Sequence, residues 1–482
     1  MGGSWLGVAA ALAHVVIVIA ALVVVPGDRK PSSATAWLLL ITGAPFLGLA
    51  LFLMIGDPRL PRRRRELQAR MGEAIAASLA ALPPERLALF DPEVPARDRR
   101  HVELARSLGG MPATGGNRLD LLWGYDGIVA RMVEAIDAAT RYVHVEFYIV
   151  ALDETTEPLF AALERAVGRG VRVRLLFDQI GSRKFPRKRE MRERLTRAGV
   201  EWRAMLPILG VREWLRFDLR NHRKLLVIDA AVAFTGSMNL IERGYHRADG
   251  LTYEELCVRI EGPAVLELDA VFTVDWLSES EGKPGEIAAA ASPGTAAAPG
   301  AVAQVLPSGS GFDDENNLRL FTALAHAARR SLTIVTPYFV PDEALMLAIT
   351  SAARRGVAVT LVNSEAVDQA VVVAAQRSFY EELLRDGVEI RLYRAPVLLH
   401  AKSVVVDDEI ATIGSSNLDI RSFTLNMEVT LVVYDRAFVD RLREVIGGYV
   451  ANASRVTLEE WRRRPVRKRL VENIARLTAA LQ

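Results

Sequence analysis

The sequence predicts an α/β protein of two similar lobes behind a transmembrane helical hairpin, and three observations carry that reading. Helix-like stretches alternate with β-rich runs from Asp126 onward, as layered α/β folds require. One order of elements, with one constellation of polar residues, occurs twice, which is the mark of an internal duplication. Two long apolar runs open the chain.

Those runs come first. From Trp5 to Val25 every side chain is apolar or small except His14, and from Ala36 to Ile55 the only polar side chain is Thr42. As helices rising ~1.5 Å per residue, both reach across ~30 Å of hydrocarbon. Between them, Pro26 to Thr35 reads as turn material because of Pro26, Gly27, Pro31, Ser32 and Ser33. Arg29 and Lys30 lie in that loop, whereas Arg59, Arg62, Arg63, Arg64 and Arg65 follow the second run. The positive-inside rule then places both ends of the hairpin in the cytoplasm. A cleaved signal peptide is the rival, but the apolar run exceeds a usual signal core and no basic residue precedes it. Pro45 is expected to kink the second helix, and His14 to be a tolerated interior or interfacial residue.

Bulk composition agrees with a folded body on a small membrane part. Of 482 residues half are hydrophobic and 24% charged, with mean hydropathy +0.16. That is too charged for a polytopic membrane protein and too long for one core. A net charge of +2 carries no polyanion signature, so no nucleic-acid partner is expected. The single cysteine, Cys257, excludes an internal disulfide and reads as a small buried hydrophobe.

The duplication is visible element by element. A helix Asp126 to Ala139, a strand from Tyr142 to Val150, a helix Glu157 to Arg169 closed by Gly170 and a strand Val171 to Asp178 make the first copy. Helix Leu318 to Arg330, strand Leu332 to Val340, helix Asp342 to Arg355 closed by Gly356 and strand Val357 to Asn363 repeat it, with Tyr338 matching Tyr148. The expected organisation is a hairpin over 1–57 (spans 5–25 and 36–55), a basic juxtamembrane linker over 58–111, a first lobe over 112–283, a linker over 284–303, and a second lobe over 304–482 with a basic tail. The linker is rich in Ala, Pro and Gly, a composition that builds no core.

The chemistry lies in the repeat. His222, Lys224, Asp229, Gly236, Ser237 and Asn239 recur at identical spacing as His400, Lys402, Asp407, Gly414, Ser415 and Asn417. Each copy continues to a run headed by a glutamate, Glu255 and Glu428. On a strand, residues i and i+2 share a face, so each histidine lies beside its lysine. Two such strands across a pseudo-twofold axis give one pocket with two imidazoles and two ammonium groups, suited to a phosphodiester anion without a metal or other cofactor. One imidazole can then be neutral and nucleophilic while the other is protonated. Glu255 and Glu428 would each accept a ring N–H from a histidine, the sequence leaving open which serves which. Asp229 and Asp407, counted with the catalytic set, are the weakest members and read as holding local structure. His101, His144, His246 and His326 have no repeated company and read as surface or structural.

The pattern H-x-K-x4-D-x6-G-S-x-N, present twice, resembles the signature of the phospholipase D superfamily. Further stretches resemble bacterial cardiolipin synthases: Ala34 to Leu39 with Pro45 and Gly48, Asp178 to Ser182, Arg220 to Lys224, Thr336 to Asp342, and Asn417 to Glu428. The resemblance implies two phospholipase D-like α/β/α sandwich lobes in a bacterial inner-membrane protein, multi-pass, with cytoplasmic lobes. It implies an enzyme that joins two phosphatidylglycerols into cardiolipin and glycerol, with His222 the nucleophile and His400 the acid and base; Ser237, Asn239, Glu255, Ser415, Asn417 and Glu428 are expected to bind the substrate and orient the site. Phosphatidylglycerol and anionic membrane lipid are the expected partners; the oligomeric state stays open. The sequence departs from the family at Ser237, over Leu240 to Tyr245, and at Thr252 to Glu255, where a tryptophan followed by an aspartate is usual. These departures bear on the choice of acceptor. The alternatives are a hydrolase or a transferase to another alcohol, a membrane-bound phosphodiesterase, or an inert scaffold.

Overall fold

The computed structural model describes residues 2–27, 29–56, 60, 64–68, 70, 84–207, 218–280, 300–312 and 314–477. Arg59, Arg62 and Arg63 of the basic cluster, and most of the expected linker, lie outside them. The chain forms two compact units, one of Met1–Arg59 with Pro207–Leu219 and one of the remainder.

In the first unit, helix Gly2–Val24 is followed by helices Pro31–Gly43 and Pro45–Ile55. Among the described residues one helix, over Gly7–Val24, is long and apolar enough to cross a membrane. Two expectations change here. The turn is shorter than Pro26 to Thr35, because Pro31 opens a helix, where its missing N–H costs nothing. The second run is not one kinked helix but two: Ala44 is driven to φ −142°, ψ 75° by the ring of Pro45. Gly48 then lies so close to Ile41 that a Cβ would meet its Cα at 2.7 Å. Trp37 packs edge-on to Phe52 at 5.4 Å, and a ring nitrogen of His14 reaches the Thr42 carbonyl at 3.1 Å, so that its polar atom is satisfied within the unit.

The second unit is built on one continuous fifteen-stranded sheet. Its two halves meet at antiparallel strands Thr114–Trp123 and Ala301–Ser308. Outward from the first run Leu256–Glu261, Val232–Gly236, Lys224–Ile228, Tyr142–Phe147, Arg172–Asp178 and Glu201–Met205. Outward from the second run Glu428–Val433, Ile410–Gly414, Ser403–Val406, Ser331–Val335, Ala358–Ser364 and Glu389–Tyr393, with Ala453–Val456 added at the edge. Order and direction match strand for strand, so the duplication read from sequence is also a duplication of topology. Within each half the crossovers between parallel strands are helical, such as Glu157–Gly168 and Glu343–Arg354, as parallel pairing demands. Buried Val, Leu and Ile fill the strands on both faces, the pattern of a covered sheet.

Three boundaries differ from expectation. Ala301 to Ala303 are strand rather than linker, since Ala303 pairs with both Thr114 and Val433. The predicted strand Leu332 to Val340 divides into Ser331–Val335 and Phe339–Val340, where Pro337 cannot donate to a ladder. The expected juxtamembrane linker contributes helix Arg99–Gly109 to the folded body. Gln304 donates to the carbonyls of Val102 and Met111, and Gly109 lies within a Cβ's reach of Leu306, at 2.9 Å.

Candidate active site

Each histidine sits just ahead of its strand, not within it as the spacing had suggested: His222 precedes Lys224–Ile228 and His400 precedes Ser403–Val406. The reason is the partner of each approach segment. Val397–Leu399 runs parallel to Thr252–Glu254, and the His400 amide donates to the Glu254 carbonyl at 2.8 Å. In the same way Asn221 bridges in parallel to Met427, and the His222 amide donates to the Met427 carbonyl at 2.8 Å. Each chain therefore enters its histidine alongside the chain that enters the other half's glutamate.

The imidazoles follow. His222 Nδ1 lies 2.9 and 3.0 Å from the two carboxylate oxygens of Glu428. His400 Nδ1 lies 2.9 Å from both oxygens of Glu255. The pairing is crossed: each half supplies the glutamate for the other half's histidine. Both glutamates are fully buried, so Nδ1–H of each ring is spent on a carboxylate and Nε2 is left to the pocket.

Ser237 donates to Glu255 at 2.5 Å and Ser415 to Glu428. These serines steer the glutamates, an orienting contact. The glycine before each explains the conserved spacing within this chain: a Cβ on Gly236 would come to 2.3 Å from the Leu256 carbonyl oxygen, and one on Gly414 to 2.3 Å from that of Val429. Only bare backbone lets the strands close enough for the serine to reach. Asn239 is likewise occupied, accepting from the Ile149 amide at 3.2 Å and donating to Tyr245 Oη at 3.0 Å. Asn417 is buried with its Oδ1 unpaired among the described residues.

Asp229 and Asp407 stand apart from the pocket. Asp229 begins roughly 16 Å beyond Lys224 at ~3.3 Å per strand residue, and accepts from the amides of Thr140, Arg141 and Tyr142 at 2.7–2.8 Å. Asp407 accepts from Arg330 and Ser331 at 2.7 and 2.9 Å. Each carboxylate fixes the start of a neighbouring strand, so these two do not belong among the catalytic residues.

Lys224 and Lys402 each donate at 2.6 Å to the carbonyl of their own histidine, which holds the ammonium groups at the pocket. Burial lowers Lys224 to about 7 and Lys402 to about 8, against the pull of Glu428 and Glu255. Burial also lowers His222 to about 4 and lowers His400, the paired glutamates opposing and both lysines adding to the effect on both rings. Glu255 is held below the ordinary range in spite of its burial, by His400, Lys402 and Ser237. At neutral pH both imidazoles are thus neutral beside labile ammonium groups, and a phosphate anion in the pocket favours protonation of the two lysines and of one imidazole, the other keeping its Nε2 lone pair.

Several residues around the pocket lie outside the repeated motif. Arg223, 1% exposed, donates from Nε to the Glu428 carbonyl at 3.1 Å and from Nη1 to Asp275. It ties the backbone of that glutamate to helix Ala264–Ser278, and Ala401 stands in its place in the second copy. Tyr148 meets His222 at 5.1 Å, and Tyr253 meets His400 edge-on at 5.6 Å. Tyr245 packs on Tyr253 at 4.0 Å and donates to Glu255 at 3.1 Å, with its backbone at φ 54°, a conformation a bulky residue adopts only under constraint. Tyr338, matched to Tyr148 in sequence, instead donates to Asp368, as does Tyr253. Of the other histidines, His144 binds Asp269 at 2.7 Å and stacks on Phe272, and His246 pairs with Asp153 at 3.2 Å; both are structural.

Comparison with known proteins meets this geometry. The sequence profile of a family described as "Cardiolipin synthase, PLD-like domain" matches residues 132–276 and 321–448, one segment holding each motif. Cardiolipin synthase A of Pectobacterium carotovorum subsp. carotovorum (strain PC1) is 34% identical over 456 residues, covering 92% of both chains. The chain belongs to the cardiolipin synthase family. Cardiolipin synthase A of Proteus mirabilis (strain HI4320) is similar at 33% over 455 residues, again 92% of both chains. A crystal structure of phosphatidylserine synthase from Haemophilus influenzae Rd KW20 has the same fold, with TM-score 0.60 and 16% identity over 80% of this chain and 98% of that one. This cardiolipin synthase-family chain is accordingly a phospholipase D-superfamily protein, as its paired motifs suggested.

Proposed function

We propose that this chain is a membrane phosphatidyltransferase that joins two phosphatidylglycerols into cardiolipin and glycerol through a phosphatidyl-histidine. The crossed His222–Glu428 and His400–Glu255 pairs, with Lys224 and Lys402 between them, carry the proposal. Neutral Nε2 of His222 attacks the phosphorus of the first lipid. The P–O bond to glycerol breaks, and that oxygen takes the proton from Nε2 of His400. The phosphatidyl group now rests on His222, whose ring carries a positive charge balanced by Glu428. His400, now neutral, removes the proton from a glycerol hydroxyl of the second lipid; that oxygen attacks phosphorus, the P–N bond breaks, and His222 is restored. The lysines neutralise the non-bridging oxygens throughout. Tyr245 and Tyr253, which lie where the sequence departs from its family, border His400 and so shape the acceptor's approach.

Purified protein given phosphatidylglycerol as its only lipid, with EDTA present, should yield cardiolipin and free glycerol in equal amounts by mass spectrometry. Phosphatidic acid in place of cardiolipin would make it a hydrolase instead.

Burial of the lysines sets a pH dependence. As pH rises through about 7 to 8, Lys224 and Lys402 lose their protons in the empty pocket, and affinity for the anionic lipid falls. Bound phosphate keeps them charged, so kcat/KM should decline at lower pH than kcat, with macroscopic pKa values that belong to the coupled set. A kcat/KM flat from pH 6 to 10 would remove the lysines from substrate binding.

The hairpin reading places the protein in the inner membrane by two spans with the catalytic body in the cytoplasm, on the strength of the arginine asymmetry. A cysteine at Ser32 should then react with an impermeant reagent from outside intact cells; reaction only after permeabilisation reverses the topology.

A further inference from the structure

The C-terminal helix Val466–Leu477 is not needed by the chemistry above, yet its surface is unusual. One face is fixed to the body: Glu472 and Ala475 are buried, Glu472 pairs with Arg464 at 3.0 Å, and the guanidinium of Arg476 lies over Phe379 at 4.3 Å. Away from that seam, Val466, Leu470, Val471, Ile474 and Leu477 are 55–84% exposed. At 100° per residue they fall within one arc of about 140°, which Arg467 of the first turn shares. A water-facing stripe of five large aliphatics on a well-seated helix is not surface noise.

Charge indicates what covers it. Arg467, Lys468 and Arg469 are exposed and make no ion pair among the described residues. In contrast Arg462, Arg463, Arg464 and Arg476 each meet a glutamate. The three unpaired cations stand in the first turn, where the helix dipole disfavours positive charge. Local preference is strained there, relieved within the body only by the attraction between Lys468 and Glu472, as is expected of a site that meets an external anion. An aliphatic face bordered by cations is the composition of a helix lying in the headgroup boundary of an anionic bilayer.

We infer that helix Val466–Leu477 is an interfacial membrane contact, its aliphatic stripe in the upper acyl region of an anionic bilayer and Arg467, Lys468 and Arg469 on lipid phosphates. The inference does not depend on which acceptor the enzyme uses, or on activity.

The test uses the full chain in vesicles. A polarity-sensitive fluorophore on Leu470→Cys reports the stripe, since Cys257 is 2% exposed and does not compete; the same label on Arg189→Cys, a 91% exposed side chain, is the control. In vesicles containing phosphatidylglycerol, the label at 470 should shift to the blue and be quenched by lipids brominated near the headgroup, the control by neither. Arg467→Glu/Lys468→Glu/Arg469→Glu, or pure phosphatidylcholine, should weaken the quenching on the order of tenfold in apparent lipid affinity. Leu470→Asp/Ile474→Asp should lower turnover in vesicles on the order of tenfold, with turnover in mixed detergent micelles unchanged. A label at 470 that stays in water with anionic vesicles overturns the inference. So does protection that follows protein concentration in the absence of lipid, which would make the cover a second copy of the chain.

Discussion

Glu428→Gln is expected to lower turnover by ~10³-fold or more, and Glu255→Gln by a similar factor, because in each case a histidine loses the carboxylate that orients it and balances its cation. What separates the two variants is the half-reaction each disables. A lipid substrate with a p-nitrophenyl leaving group needs no acid, so its first step depends on the nucleophile alone. With Glu428 replaced, release of nitrophenolate from that lipid should be slow, since His222 is the ring at 2.9 Å from this residue. With Glu255 replaced, release should be close to wild type, while the second step, in which His400 activates the acceptor, fails. In a His400→Ala background Glu255→Gln should add nothing, as members of one unit do. The reverse assignment of glutamates, each serving its own half, would exchange these outcomes.

The histidines themselves carry the largest effects. His222→Ala and His400→Ala should each reduce cardiolipin formation by ~10⁴-fold or more, with far-ultraviolet circular dichroism and the unfolding temperature little changed. Both rings are near the end of extended segments whose backbone bonds, His222 N–H to Met427 and His400 N–H to Glu254, do not need the side chain. Retention of more than a few per cent of turnover by either variant removes that residue from the mechanism.

How much of this was legible in the sequence depends on whether a feature is local. The recurrence of His, Lys, Ser and Glu at fixed spacing is local, and it located the pocket and the duplicated lobes. The crossed pairing is not: it arises because Val397–Leu399 lies along Thr252–Glu254 and Asn221 along Met427, contacts between segments more than a hundred residues apart. For the same reason the spacing did not divide substrate binding from orientation for Ser237 and Ser415, which the close crossing at Gly236 and Gly414 turns toward the glutamates. Asp229 and Asp407 shared the spacing but not the site, since each ends the far side of its strand with φ above 50° and gathers amides there. The tyrosines Tyr245 and Tyr253 carried a signal of another kind, lying in the two stretches where the sequence left its family's pattern. In the hairpin, Pro45 marked the place of the bend and not its size, because the close seat of Gly48 on Ile41 is a packing fact. The helix Arg99–Gly109 was hidden by composition: its arginines suggested a membrane-facing linker, while its attachment runs through Gln304 and Leu306.

Covalent catalysis by His222 is the claim on which the rest depends, and mass spectrometry of a stalled enzyme tests it most directly. His400→Ala, mixed with phosphatidyl-p-nitrophenol, should release one equivalent of nitrophenolate per active site and then stop, for want of a base to activate the next alcohol. The intact protein should gain one phosphatidyl group, labile to acid and stable to mild base, and digestion should place it on the peptide containing His222. His222→Ala should show neither burst nor adduct. An adduct on His400 in that variant would reverse the two roles; absence of any adduct in His400→Ala and wild type alike, with initial rates that require both lipids bound at once, would contradict the account.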